Sequence, residues 1–213
     1  MKLILLHGLG QTIVSWHVVC EKLKEIDVVL YPLFHEINNS DELNLDVLNQ
    51  QLSLFLRKIN EPYILCGLSL GAVLTLQQAV QGSPLLKGFI VSAPQFAPNK
   101  FLLSIQTMVF KCLPKKTFDT IGITKKQAIY LMDSIKNLHL QQQLQVITLP
   151  AMIICGSKDK VNLKAAKQLA TILHNATLRI INNGGHELNS TYPHEFAQEI
   201  HHFFIKNQFL PST

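Results

Sequence analysis

The sequence predicts an α/β protein: a six-stranded, mostly parallel sheet with helices on both faces. Short apolar runs alternate along the chain with stretches of helical periodicity, the signature of βαβ units around a sheet buried on both sides. Of the 213 residues, 47% are hydrophobic, enough for one large core, and compact domains typically run about 100 to 200 residues. No internal repeat or low-complexity tract interrupts the pattern.

Six runs read as strands: 2–6 (KLILL), 27–31 (DVVLY), 62–66 (PYILC), 87–92 (KGFIVS), 150–155 (PAMIIC) and 177–181 (TLRII). Between the first two, Trp16, Val19, Cys20 and Leu23 fall on one helical stripe. Leu45, Leu48, Leu52, Phe55, Leu56 and Ile59 repeat that periodicity after the polar loop NNSDEL. The segment after Ser69 runs apolar to Gly82, a helix stop. Asn162 precedes a helix through Leu163, Ala166, Leu169, Ala170 and Leu173. Pro193 suits the first turn of a last helix whose Phe196, Ile200, Phe203 and Phe204 would cover the sheet.

The stretch 95–149 is far longer than an ordinary βα crossover, so it is expected to carry helices of its own, at 101–113 and 124–138. The second opens with Thr124 and Gln127 at capping-box spacing. The expected organisation is a core of 1–94 and 150–213 with a helical lid at 95–149.

The opening run has four apolar residues between Lys2 and His7, too short for a signal-peptide core or a membrane span, and the expected location is the cytosol. The cysteines agree with a reducing compartment. Cys66 and Cys155 sit in strand-like runs and Cys20 and Cys112 in helix-like ones, without CxxC or Cys/His ligand spacing. The nine histidines assemble no HExxH, and neighbouring His201 and His202 point to different faces of a helix, so no metal is implied.

In an open parallel sheet, ligands sit beyond the carboxyl ends of the strands, which directs attention to the residues after each run. HGLGQT follows the first strand, GLSLG the third, GSKDK the fifth and NNGGHE the sixth. Together they hold a serine, an acid and two histidines.

HGLG, GLSLG, GSKD and GGH, in this order and at these strand ends, resemble the alpha/beta-hydrolase superfamily over nearly the whole chain. The resemblance implies a nucleophile at Ser69, an acid at Asp159 and a base at His186, with an oxyanion hole from the backbone N–H groups of Leu9 and Leu70. A serine hydroxyl needs such a base, and Gly67 and Gly71 let the strand turn sharply enough to lift Ser69 clear of the sheet. Gly184 and Gly185 would bend the histidine loop inward, and Gly10 would free space beside the HGLG turn. His7 is expected to be structural, and Asp133 and Glu187 are weaker candidates for the acid.

Relative to the larger family pattern, KLILLHG corresponds to the third strand of the common eight-stranded sheet, so the two leading strands are expected to be missing. The strand order becomes 2-1-3-4-5-6, and its exposed edge is a place for dimer contact. A monomer or a homodimer fits.

Trp16, Phe96, Phe101, Met108, Leu131 and Met132 are the candidates for an apolar substrate pocket; those in 95–149 are equally what a lid needs to dock, and Trp16, on the apolar stripe of the first helix, is more often core. Segment 95–149 holds seven lysines against Asp119 and Asp133, a balance of 7 − 2 = +5, equal to the net charge of the whole chain. Such a basic surface suits an acidic carrier protein or an anionic surface, or else keeps an apolar lid in solution. Nucleic acid is not expected, since Arg57 and Arg179 are the only arginines and no basic-aromatic motif accompanies the lysines.

The resulting expectation is a serine hydrolase for a small to medium acyl ester or thioester, without a cofactor. The same residues can serve acyl transfer or a lyase reaction, and a non-catalytic ligand-binding or sensing protein is the rival from another class.

Overall fold

The computed structural model describes residues 1–35, 37, 38, 42–97, 114 and 116–210. Strands β1 (Lys2–Leu6), β2 (Asp27–Tyr31), β3 (Tyr63–Leu68), β4 (Leu86–Ser92), β5 (Ala151–Gly156) and β6 (Ala176–Ile181) form one sheet in the order 2-1-3-4-5-6. All five neighbouring pairs are parallel. The helices are α1 (His17–Glu21), α2 (Leu45–Leu56), α3 (Leu70–Gln81), α4 (Lys116–Asp119), α5 (Lys125–Ile135), α6 (Gln141–Leu144), α7 (Lys160–Ile172), α8 (Leu188–Thr191) and α9 (Pro193–Lys206).

Strand geometry sends alternate side chains to opposite faces. Leu3, Leu5, Ile64, Cys66, Ile90, Met152 and Ile154 join one core with Trp16, Val19, Leu188, Phe196, Ile200, Phe203 and Phe204. Ile4, Leu6, Leu65, Val91, Ile153 and Cys155 join the other with apolar residues of α2, α3, α5 and α7. Both faces are covered, and burial is worth about 1.5–3 kcal/mol per Leu, Ile or Phe. That is why the strands read as continuous apolar runs instead of alternating ones.

Local signals set the helix ends. Asn44 caps α2 by accepting from Val47 N at 2.9 Å, and α3 stops at Gly82, whose φ is 73°. The capping box of α5 forms as expected, with Thr124 N donating to Gln127 Oε1 at 2.8 Å and Gln127 N to Thr124 Oγ1 at 3.2 Å. Pro193 occupies the first turn of α9. Two expectations need correction. Trp16 belongs to a 3-10 turn (Ile13–Trp16) that precedes α1, so the stripe from Trp16 to Leu23 is not one helix. Helix α7 begins at Lys160 and its cap is Asp159, not Asn162.

Between β4 and β5 the described helices are α4, α5 and α6; the helix expected at 101–113 lies outside the described residues, as do Phe101, Met108 and Cys112. Helix α5 is fastened to the body by Leu45 N donating to Ser134 Oγ at 2.9 Å and Gln127 Nε2 donating to Asn38 O at 2.7 Å. Among the described residues, no helix is long and apolar enough to cross a membrane.

Candidate active site

The chain leaves β3 and enters α3 through Ser69, whose φ of 56° and ψ of −110° lie where few residues other than glycine rest. Its amide donates to Ser92 O of β4 at 2.9 Å, which anchors the turn to the sheet. The two flanking glycines make the close packing possible. A Cβ on Gly67 would lie 2.1 Å from Gly71 O, and one on Gly71 would lie 2.3 Å from Leu6 O. Ser69 is half-buried, and its hydroxyl makes no hydrogen bond to any described residue.

Asp159 ends the turn after β5, and His186 lies in the loop between β6 and α8. His186 Nδ1 donates to Asp159 Oδ2 at 2.7 Å. The carboxylate is nearly enclosed, with 9% of its side chain exposed, whereas the imidazole is 43% exposed. Burial alone would raise the Asp159 pKa. Hydrogen bonds from His186 and Asn162 outweigh it, so the carboxyl stays below its ordinary value. With Nδ1 carrying the proton, Nε2 keeps its lone pair and can accept one. The histidine loop comes close because of small residues: a Cβ on Gly156 would lie 2.3 Å from Gly184 O, and one on Gly184 2.5 Å from Leu188 Cδ2. Gly185, by contrast, has open space around it.

The HGLG turn packs against the elbow, since a Cβ on Gly8 would stand 3.5 Å from Ser69 Cβ. His7 lies under that turn, buried. Leu33 N donates to His7 Nε2 at 3.1 Å, so Nδ1 carries the proton and donates to Gly8 O at 2.9 Å. Burial lowers its pKa, partly offset by the Gly8 carbonyl, and the ring is a neutral strut. Gly10 has φ of 93° and nothing near its Cβ position, so it serves backbone conformation and not clearance. Among the described residues, neither the Leu9 nor the Leu70 N–H has a protein acceptor.

Three side chains that the sequence patterns did not single out for this region join it. Asn162 touches both Asp159 oxygens. Gln11 and Asn189 exchange amide hydrogen bonds of 3.1 and 3.2 Å, and Gly8 N donates to Gln11 Oε1 at 3.3 Å. That buried pair ties the HGLG turn to α8, just past His186. Hydrogen-bonding residues 178 positions apart leave no periodic signal to find.

The remaining candidates fall elsewhere. Trp16 is fully buried with its ring edge-on to Phe196, 5.4 Å between centroids, so it is core and not pocket mouth. Phe96, Leu131 and Met132 are buried in the core on the opposite face of the sheet from Trp16. Asp133 pairs with Lys136 on the surface of α5. An open groove of about 560 Å³ is lined by Ala97, His139, Gln141, Gln142, Gln143 and Gln145, none of them beside Ser69 in the sequence or the sheet. Among the described residues, no group of three or more His, Cys, Asp or Glu is placed to hold a metal ion. Cys66 and Cys155 are buried thiols; burial pushes Cys66 strongly up and Cys155 to about 12, which makes both inert at neutral pH.

No family model and no curated protein matches the sequence. Solved structures do match its fold. MenH from S. aureus superposes with a TM-score of 0.77 at 20% identity, covering 98% of this chain and 94% of its own. A lipase-esterase related protein from Clostridium acetobutylicum ATCC 824 gives 0.78 at 17% identity, covering 95% of this chain and 93% of its own. MGS-M2, an alpha/beta hydrolase enzyme from a Medee basin deep-sea metagenome library, gives 0.82 at 18% identity, covering 95% of this chain and 88% of its own. With its parallel sheet ordered 2-1-3-4-5-6 and these neighbours along almost its whole length, the chain has the alpha/beta-hydrolase fold.

Proposed function

We propose that this protein is a serine hydrolase that cleaves a carboxylic ester or thioester of a small to medium acyl group through an acyl-enzyme on Ser69. The observation that carries the reading is the 2.7 Å bond between His186 Nδ1 and Asp159 Oδ2, made at strand ends of the same sheet that presents Ser69 on a strained elbow. Esterases and lipases among the structural neighbours support the reaction class.

His186 Nε2 takes the Ser69 proton as Oγ attacks the acyl carbon. The oxyanion is received by the N–H groups of Leu9 and Leu70, which have no competing acceptor among the described residues and, at Leu70, sit at a helix N-terminus. Collapse of the intermediate expels the alcohol or thiol, which leaves with the proton from His186. Water, deprotonated by the same nitrogen, then releases the acid and restores Ser69. Asp159 remains ionised, fixing the tautomer and stabilising the imidazolium. The segment between β4 and β5 is read as a lid over the acyl group, docked on the body through its buried Phe96, Leu131 and Met132.

Intact-mass labelling with a serine-directed phosphonate tests the mechanism. One adduct is expected on the wild-type chain and none on Ser69→Ala, with turnover of an ester and thioester chain-length series lost in the variant. An unlabelled wild type, or an alanine variant as active as the parent, rules the reading out.

A further inference from the structure

Among the described residues, the Asp159 carboxylate has two partners besides its histidine, and both come from Asn162. The Asn162 side-chain amide nitrogen lies 2.9 Å from Oδ1 and 2.8 Å from Oδ2, while its backbone N–H points to Oδ1 at 3.4 Å. Oδ1 therefore caps helix α7, and Oδ2 is shared between the amide and His186. The 3.2 Å approach of the amide nitrogen to His186 Nδ1 follows from that sharing. Both atoms are donors aimed at one oxygen, so their contact is proximity and not a bond.

An asparagine amide can present either end; the acceptor-only carboxylate takes the nitrogen, and Gln95 secures the oxygen end. Its Nε2 donates to Asn162 Oδ1 at 2.5 Å, which leaves the nitrogen to face the carboxylate. Gln95 lies three residues past the end of β4, where the chain enters the segment leading to α5. A continuous line of side chains thus runs from that segment through Asn162 to Asp159 and His186.

We infer that Asn162 is a positioning residue that holds the Asp159 carboxylate in line with His186, and that Gln95 secures the Asn162 amide in its donating orientation. The inference rests on the proposed hydrolase mechanism for its kinetic consequence, but the geometry itself does not depend on turnover. An ionised carboxylate with one oxygen tied twice and the other shared cannot rotate away from the imidazole. Removing the amide frees that rotation. A misplaced general base loses rate while leaving substrate binding alone. Gln95→Glu is the sharper change, because a carboxylate at residue 95 sets an acceptor against Asn162 Oδ1 and competes with Asp159 for the single amide nitrogen.

The experiment compares wild type, Asn162→Ala, Gln95→Glu and the double variant, each checked for an unchanged melting transition. For the two single variants, kcat toward a short acyl ester is expected to fall about tenfold or more with KM within about twofold, since only alignment is lost. In the Asn162→Ala background, Gln95→Glu is expected to add nothing. The His186 Nδ1 proton, followed by NMR in histidine-labelled protein, is expected to shift in both single variants while the His7 signals stay in place. An unmoved His186 resonance overturns the inference even if the protein has no esterase activity. Equal Gln95→Glu effects in both backgrounds overturn the coupling. Failure of wild type to take the phosphonate, with the resonance shifting as expected, removes the mechanism and leaves the positioning intact.

Discussion

At the scale of single residues, two histidines at strand ends of the sheet sit in opposite environments, His7 buried and His186 exposed. The His186 side chain is 43% exposed and its ring is oriented by Asp159 at 2.7 Å. Replacing Asp159 by Asn removes the orienting charge, and turnover is expected to fall by about four orders of magnitude with little change in KM, as measured by steady-state kinetics. His7 is buried and spans Leu33 N and Gly8 O, so its neutral form is the folded form. The unfolded chain takes up that proton below about pH 6.5. The stability His7 contributes is therefore complete above that pH and is lost as pH falls toward its lowered folded-state pKa. His7→Phe leaves the buried Leu33 N–H unpaired, at about 1–3 kcal/mol, while Gly8 O keeps its bond from Gln11 N. In urea melts the gap between wild type and His7→Phe should be widest near neutrality and narrow toward acid pH; a constant gap means the ring is not held neutral.

At the scale of elements, the strand-turn-helix through Ser69 works because neighbouring backbones nearly touch. Gly71 faces Leu6 O with no room for a Cβ, and β1 cannot retreat because β2 and β3 bracket it. Gly71→Ala is expected to cost about 3 kcal/mol from overpacking alone. Gly82 has positive φ but nothing within 4 Å of its Cβ position, so Gly82→Ala should cost only the strain of that conformation, about 1–2 kcal/mol. Denaturant midpoints that place the two variants together would remove the steric account. The GxSxG pattern was legible in the sequence; that Gly71 is required by Leu6, 65 positions upstream, was not.

For the whole molecule, the uneven charge makes its own prediction. Segment 95–149 carries the full +5 of the chain, with Lys116, Lys125, Lys126 and Lys136 on its described helices or at their ends. If that surface gathers an anionic acyl substrate or an acidic carrier, kcat/KM for an anionic ester is expected to fall as salt rises from about 0.01 to 0.15 M, where the Debye length shrinks from about 30 to 8 Å. A neutral ester should respond little. Identical salt responses for the two esters would assign the lysines to keeping the surface in solution.

All six strands, the α5 capping box and the Gly82 stop could be read from the chain because each depends on local chemistry or on the rule that parallel strands are buried on both faces, while the strand order followed from the resemblance to the alpha/beta-hydrolase pattern. The motifs at the strand ends were legible for the same reason: a turn that must expose a serine or bend a histidine inward needs glycine nearby. Only the tertiary structure decided that Trp16 is core, that Asp159 caps α7, that Gln11 meets Asn189 and that Gln95 meets Asn162 beside Asp159. These depend on which polar atoms find partners across the fold, and hydrogen bonds between distant segments leave no period or spacing in the sequence.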